Sequence, residues 1–138
     1  MFIAIDHPAI ACHDVQAQID WYCRHLGLRV VAQNHDTPPS AILGYGDSAA
    51  AGTMIELMPV RDEGAAPEQT GRFAPGLRHV AFRVSDFDRA HADLKAAGVR
   101  FLGEVVPAVG GGRIISFRDP EGNELQIVER APSAERLK

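Results

Sequence analysis

Four polar side chains, His7, Glu56, His79 and Gln126, lie in runs that otherwise read as apolar strands. Two imidazoles, a carboxylate and an amide oxygen form a nitrogen and oxygen donor set. Such a set suits a borderline divalent ion: Zn, Ni, Co, Mn or Fe(II). No local spacing motif joins them, unlike the paired histidines of HExxH. A repeat does. HPAIACHDV, a helical stretch and LGLRVV in the first half match HVAFRVSDF, a helical stretch and AGVRFL in the second. His7 falls on His79, Ala9 on Ala81 and Asp14 on Asp86, and Gly27 meets Gly98 after a one-residue slip. A lone histidine on a strand is ordinarily structural. Two at matched positions, each accompanied by a matched Glu or Gln, point to ligands.

The elements that must position them follow from periodicity. Val15, Ile19, Tyr22 and Leu26 recur at helical spacing, with Asp14 as N-cap and Gly27 as terminator. Phe87, Ala90, Leu94 and Ala97 predict a second helix, capped by Ser85 or Asp86 and ended by Gly98. AILGYG and TMIELM complete the first half as strands, and GRIISF and ELQIVE complete the second. Strand side chains alternate between faces. Ile10, Cys12, Ile55, Leu57, Val80, Phe82, Leu125 and Ile127 then pack beneath the helices. His7, Met54, Glu56, Met58, His79, Arg83, Glu124 and Gln126 take the opposite faces, and Ala9 and Ala81 leave room beside the histidines.

The predicted fold class is therefore α+β: two tandem βαβββ modules whose sheets curl around a metal-containing cavity. Residues 1–130 form one domain, with modules at 1–60 and 77–130, a linker at 61–76 rich in Gly, Pro and charge, and a tail at 131–138. Each half alone, at about 55 to 60 residues, buries too little surface to stand by itself.

Bulk properties narrow the function. The 138 residues are 46% hydrophobic with a net charge of −4 and both signs interspersed, which leaves no basic footprint for nucleic acid or anionic lipid. No apolar run nears the ~20 residues of a membrane span. The apolar N-terminus lacks a basic region and carries Asp6, so it makes a poor signal peptide. Cys12 and Cys23 read as reduced thiols of a cytoplasmic protein. Gly110–Gly112 is a turn, since no Lys-Ser/Thr and no helix follow it. His13, His25, His35 and His91 have no matched partners and read as surface or helix-face residues.

The two H-x-A-x-x-x-x-D starts, the LGL and AGV helix ends, the Glu of MIELM and the DPEGN turn resemble the vicinal oxygen chelate superfamily. That superfamily includes glyoxalase I, methylmalonyl-CoA epimerase, extradiol dioxygenases and bleomycin-binding proteins. The likeness spans residues 3 to 130. It implies a U-shaped cavity with a metal on its floor, held by His7, Glu56, His79 and the residue at 126. In the family that last position is usually Glu, and here it is Gln.

The reaction class expected from this donor set is that of a glyoxalase-like lyase or isomerase. The substrate would be a small molecule chelating the metal through adjacent oxygens, with enolate or enediolate chemistry. Such chemistry needs a base. An amide takes no proton near neutrality, so Glu56 is the first choice and Glu124 the second. Arg83 is placed to bind a substrate carboxylate or phosphate, and Met54 and Met58 line the cavity. Two other readings stay open. Two His and one Glu also match an Fe(II) facial triad of a ring-cleaving dioxygenase. A metal-free binding or antibiotic-resistance protein would need an aromatic-lined groove, and aromatics are only 7%. No cationic cluster marks a glutathione site. Free sheet edges favour a homodimer.

Overall fold

The computed structural model describes residues 1, 3–46, 54–62 and 64–130. The proposed tail at 131–138 lies outside the described residues, as does Thr53 at the head of TMIELM. The chain divides into two compact units, Met1–Gly64 and Ala65–Lys138.

The first unit runs β1 (Ala9–Cys12), α1 (Val15–Leu26), β2 (Arg29–Gln33), β3 (Ala41–Gly44) and β4 (Met54–Pro59). Its sheet has the order β1-β4-β3-β2, with β1 parallel to β4 and the other pairs antiparallel. A parallel pair needs a long crossover, and α1 with the β2–β3 hairpin supplies it. The Asp14 side chain accepts from Ala17 N at 3.0 Å, satisfying one of the helix's unpaired donors. Gly27 ends α1 with φ +72°, a conformation that costs glycine nothing sterically. Val15, Ile19 and Tyr22 are buried as the helical spacing predicts, together with Gln18. They belong to the same core as Leu43, Ile55 and Leu57.

The second unit repeats the plan with β5 (His79–Arg83), α2 (Phe87–Ala96), β6 (Arg100–Pro107), β7 (Arg113–Arg118) and β8 (Glu124–Glu129). Its order is β5-β8-β7-β6, again with one parallel pair, β5 with β8. The predicted βαβββ pattern is thus present twice. Asp86 caps α2 by accepting from Arg89 N at 3.0 Å. Phe87 and Leu94 are buried, but Ala97 is exposed: α2 ends one residue before it, so it falls outside the predicted stripe. His91 stacks edge-on against Phe87 and Phe101, a packing role for a helix-face histidine.

Residues 65–76, linker-like in composition, are part of the second unit. They hold a short 3-10 turn, Pro67–Gln69, and make polar contacts within that unit. Glu68 pairs with Arg100, and Arg72 reaches Glu124 and Ser116. Among the described residues no helix is long and apolar enough to cross a membrane.

Candidate metal centre

The register of each sheet fixes which residues are equivalent. Ala9 pairs with Glu56 in the first unit, and Ala81 pairs with Gln126 in the second. On the other side Ile42 pairs with Glu56, and Ser116 pairs with Gln126. Glu56 and Gln126 therefore occupy one position of the repeat. Met54 and Glu124, two residues earlier, occupy another.

In the first unit His7 lies just ahead of β1. Its Nε2 is 3.3 Å from Glu56 Oε2, and its Nδ1 is 2.7 Å from Asp6 Oδ2. The hydrogen bond to Asp6 raises the imidazole above its ordinary pKa; burial opposes this, and Glu56 adds to the rise. Two atoms able to ligate a metal, Nε2 and Oε2, thus face each other within hydrogen-bond reach. A divalent ion held between them would take the place of this hydrogen bond. Asp6 would then fix the ring through Nδ1–H, as carboxylates do behind metal-binding histidines. Met54 and Met58 flank Glu56 on its face and are half-buried, as is Glu56 itself.

In the second unit His79 opens β5 opposite Glu124, and Arg83 lies exposed on the same face of that strand. Burial does not alternate along β8, because both faces are covered: Glu124 and Gln126 are only 7% and 8% exposed. Arg72 provides part of that cover. Its Nη2 and Nε donate to Glu124 Oε1 at 2.7 and 3.0 Å, and Nη2 also donates to Ser116 Oγ at 3.1 Å. Gln126 Nε2 donates to the same Oγ at 3.1 Å. Burial pushes the Glu124 carboxyl up, but Arg72 outweighs it, with help from Ser116 and His79, and holds the group below its ordinary pKa.

Glu124 was the second choice of base on sequence grounds. A carboxylate bound by a guanidinium at two nitrogens is a poor proton acceptor, so the ion pair makes it a structural anion. A cavity of about 30 Å³ beside the pair is lined in part by Arg72, Arg78, Arg118 and Glu124. It has room for about a water molecule or two, not a substrate.

The turn before β8 sets where these residues fall. Asp119 is 4% exposed, and its Oδ1 accepts from the backbone N–H of both Glu121 and Asn123 at 2.9 Å. Its Oδ2 accepts from Asn123 Nδ2 at 2.8 Å. Gly122 has φ +89°, a left-handed conformation that favours glycine.

Among the described residues no three His, Cys, Asp or Glu side chains cluster as a metal site within either unit. Each unit contributes two of the four predicted ligands. The donor chemistry fits a divalent ion on both counts: a histidine facing a carboxylate, and an amide oxygen, Gln126 Oε1, bonded to no donor among the described residues.

Three polar residues beside these side chains, one in the first unit and two in the second, escaped the sequence reading as site residues. Asp6 and Arg72 stand outside any periodic run. Ser116 did leave a signal, as a small polar residue in the apolar run RIISF.

Comparison with known proteins agrees with the topology. The chain is 30% identical over 128 residues to an ethylmalonyl-CoA/methylmalonyl-CoA epimerase of Cereibacter sphaeroides, covering 91% of this chain and 94% of that one. It is 25% identical over 134 residues to a lactoylglutathione lyase of Arabidopsis thaliana, covering 94% of this chain but 45% of the plant protein. The chain thus spans about half the length of the plant lyases it matches. The crystal structure of SMU.1112c superposes with a TM-score of 0.69 at 30% identity, over 94% of this chain and 100% of that one. The family model described as Glyoxalase/Bleomycin resistance protein/Dioxygenase superfamily matches residues 4–127, and the chain belongs to that superfamily.

Proposed function

We propose that the protein is a divalent-metal-dependent lyase or isomerase acting on a small substrate with two adjacent oxygens. His7, Glu56, His79 and Gln126 would hold the ion. The observation that carries this reading is the facing of His7 Nε2 and Glu56 Oε2 at 3.3 Å, at the position that the repeat equates with Gln126. When bound, a divalent ion supplies Lewis-acid stabilisation of negative charge developing on substrate oxygen. With only one anionic ligand in the set, a net positive charge is left to do this.

The chain's own residues then divide the remaining work. Glu56 is the carboxylate of the four, and its second oxygen would carry a proton between substrate carbons while the first stays on the ion. Asp6 holds the His7 ring by Nδ1. Met54 and Met58 flank Glu56 on its strand face, and Arg83 offers an exposed guanidinium to a substrate anion. The epimerase and lyase relatives support proton-transfer chemistry as the class.

The test is elemental analysis of the purified protein, together with proton–deuterium exchange at the carbon next to a chelating carbonyl. The reading expects about one ion per chain, and exchange that is lost in Glu56→Gln. Absence of any bound divalent ion, with exchange unchanged in Glu56→Gln, would sink it.

A further inference from the structure

We propose that the second unit carries a carboxylate-binding site, built by Arg118 and Arg78 in the cavity beside the Arg72–Glu124 pair. It goes beyond the metal reading above and does not depend on it.

The cavity of about 30 Å³ is lined by three guanidinium side chains, Arg72, Arg78 and Arg118, and by one carboxylate, Glu124. Glu124 neutralises Arg72, which donates to its Oε1 through Nη2 and Nε. Arg118 stands opposite Glu124 across β7 and β8, yet its Nη1 donates to the carbonyl of Gly122 instead. Glu68, the acidic residue of the nearby 3-10 turn, is taken by Arg100. Among the described residues neither Arg78 nor Arg118 has a carboxylate partner. Three guanidiniums against one carboxylate leave the lining two positive charges in excess.

Neutral oxygens aim these two side chains without cancelling their charge. Arg78 Nε donates to Leu77 O at 3.0 Å, and its Nη1 donates to Gly71 O at 3.1 Å and Thr70 Oγ1 at 3.2 Å. Both residues are half-buried, so part of the water that would balance a surface cation is gone. The donors left over are specific. Arg118 keeps Nε and Nη2, two neighbouring N–H groups on one edge of its fork, and Arg78 keeps Nη2. A carboxylate matches such an edge, because its two oxygens accept two parallel N–H bonds. Those two oxygens also need roughly the room of two water molecules, which is the size of the space. Leu77 at the cavity is 72% exposed, so solvent and the remainder of an acid can reach it.

The first unit shows that the fold does not require this charge. Gly44 and Met54 pair there as Arg118 and Glu124 pair in the second unit. Nor is the cavity the place of Arg83, which stands at the far end of β5 from His79. A bound carboxylate would join the residues ahead of β5 to the end of β7.

The test is nitrogen-15 NMR of the arginine side chains in the full chain, titrated with sodium acetate against sodium chloride at constant ionic strength. The Nε–H signal of Arg118 should move along a saturating curve, while that of Arg89, exposed on α2, should not. Arg78→Gln and Arg118→Gln should each weaken acetate about tenfold or more, in line with the loss of a charge-assisted hydrogen bond. Arg78→Gln leaves the Gly122 bond in place, so it decides the matter even where Arg118→Gln disturbs the turn. Glutarate separates two sources of the same head group: tighter binding than acetate marks the end of a larger acid, and equal binding a free small one. An Arg118 signal that follows chloride as closely as acetate, or an affinity unchanged in Arg78→Gln, overturns the proposal.

Discussion

Strands β4 and β8 hold the same place in their sheets, each flanked by a parallel strand and an antiparallel one. Their polar faces nonetheless differ. Around Glu56 the neighbours are Met54, Met58 and Ile42, and the carboxylate side chain is 27% exposed. Around Gln126 they are Glu124 and Ser116, with Arg72 laid across them, and almost nothing reaches solvent. One module thus offers a charged group in an apolar, accessible setting. The other offers a neutral group in a charged, closed one. An accessible carboxylate among thioethers can exchange protons with a substrate. A buried amide bonded to Ser116 can only hold position. The repeat duplicates a scaffold, and under the proposed function the side chains around the matched positions divide proton transfer from ligand placement.

That division can be tested from its strongest consequence downward. Glu56→Gln should cost about 10²–10⁴ in the rate of proton exchange while leaving the fold intact by circular dichroism. If Gln126→Glu restored exchange to that variant, the roles would be interchangeable and the contrast between modules would fail. Next in size is Arg72→Ala, which leaves Glu124 buried without its guanidinium. Because Arg72 is itself 37% exposed, the full penalty of a broken buried pair is discounted to about 1–3 kcal/mol, read as a lowered Tm or a shifted urea midpoint.

The pH profile should carry the same signature. The native Glu124 carboxyl lies below its ordinary value, so its contribution is complete above that ordinary value and is lost as pH falls through the lowered native one. Arg72→Ala should flatten this acid limb of the stability curve, and an unchanged limb would place the linkage elsewhere.

A smaller effect is expected at Asp6. Asp6→Asn should weaken metal binding about tenfold, as loss of a partner behind a ligating histidine does. It should also alter the pH at which binding fails. Protons compete with a metal for His7 Nε2, and Asp6 raises the imidazole pKa, so wild-type affinity should decline at a higher pH than an ordinary histidine would give. In Asp6→Asn that decline should move to lower pH, measured by chelator competition across a pH series. Smallest of all is Arg83→Ala, an exposed cation. It should raise KM a few-fold for an anionic substrate, about in line with a surface charge contact, with kcat unchanged.

The sequence carried the backbone plan well, and the reason is geometric. Helix periodicity, the Asp14 and Asp86 caps and strand alternation are local, and a duplicated pattern reads each of them twice. The matched pairs His7 with His79 and Glu56 with Gln126 followed from the same duplication, and the sheet register gives Glu56 and Gln126 equivalent places. Contacts from outside the repeat were not legible. Arg72 lies 52 residues from Glu124 in a stretch with no period, so nothing in the sequence linked them, and Glu124 read as a free acid. Alternation also assigns a face without saying what covers it. It gave Gln126 and Glu56 equal standing, although one is closed over and the other open.

The turn at Asp119–Asn123 has a consequence for how such a scaffold changes over time. Because Asp119 ties down both Glu121 and Asn123 immediately before β8, the strand's register is set by a gauge outside the ligand positions. A slip of one residue would turn every side chain of β8 over and put Leu125 or Ile127 where Gln126 stands. Lengthening the turn is therefore ruinous, while exchanging the side chain at 126 leaves the gauge untouched. The molecule separates what must be preserved letter by letter from what can be rewritten, and the amide among its proposed ligands stands at a place where rewriting leaves the register intact.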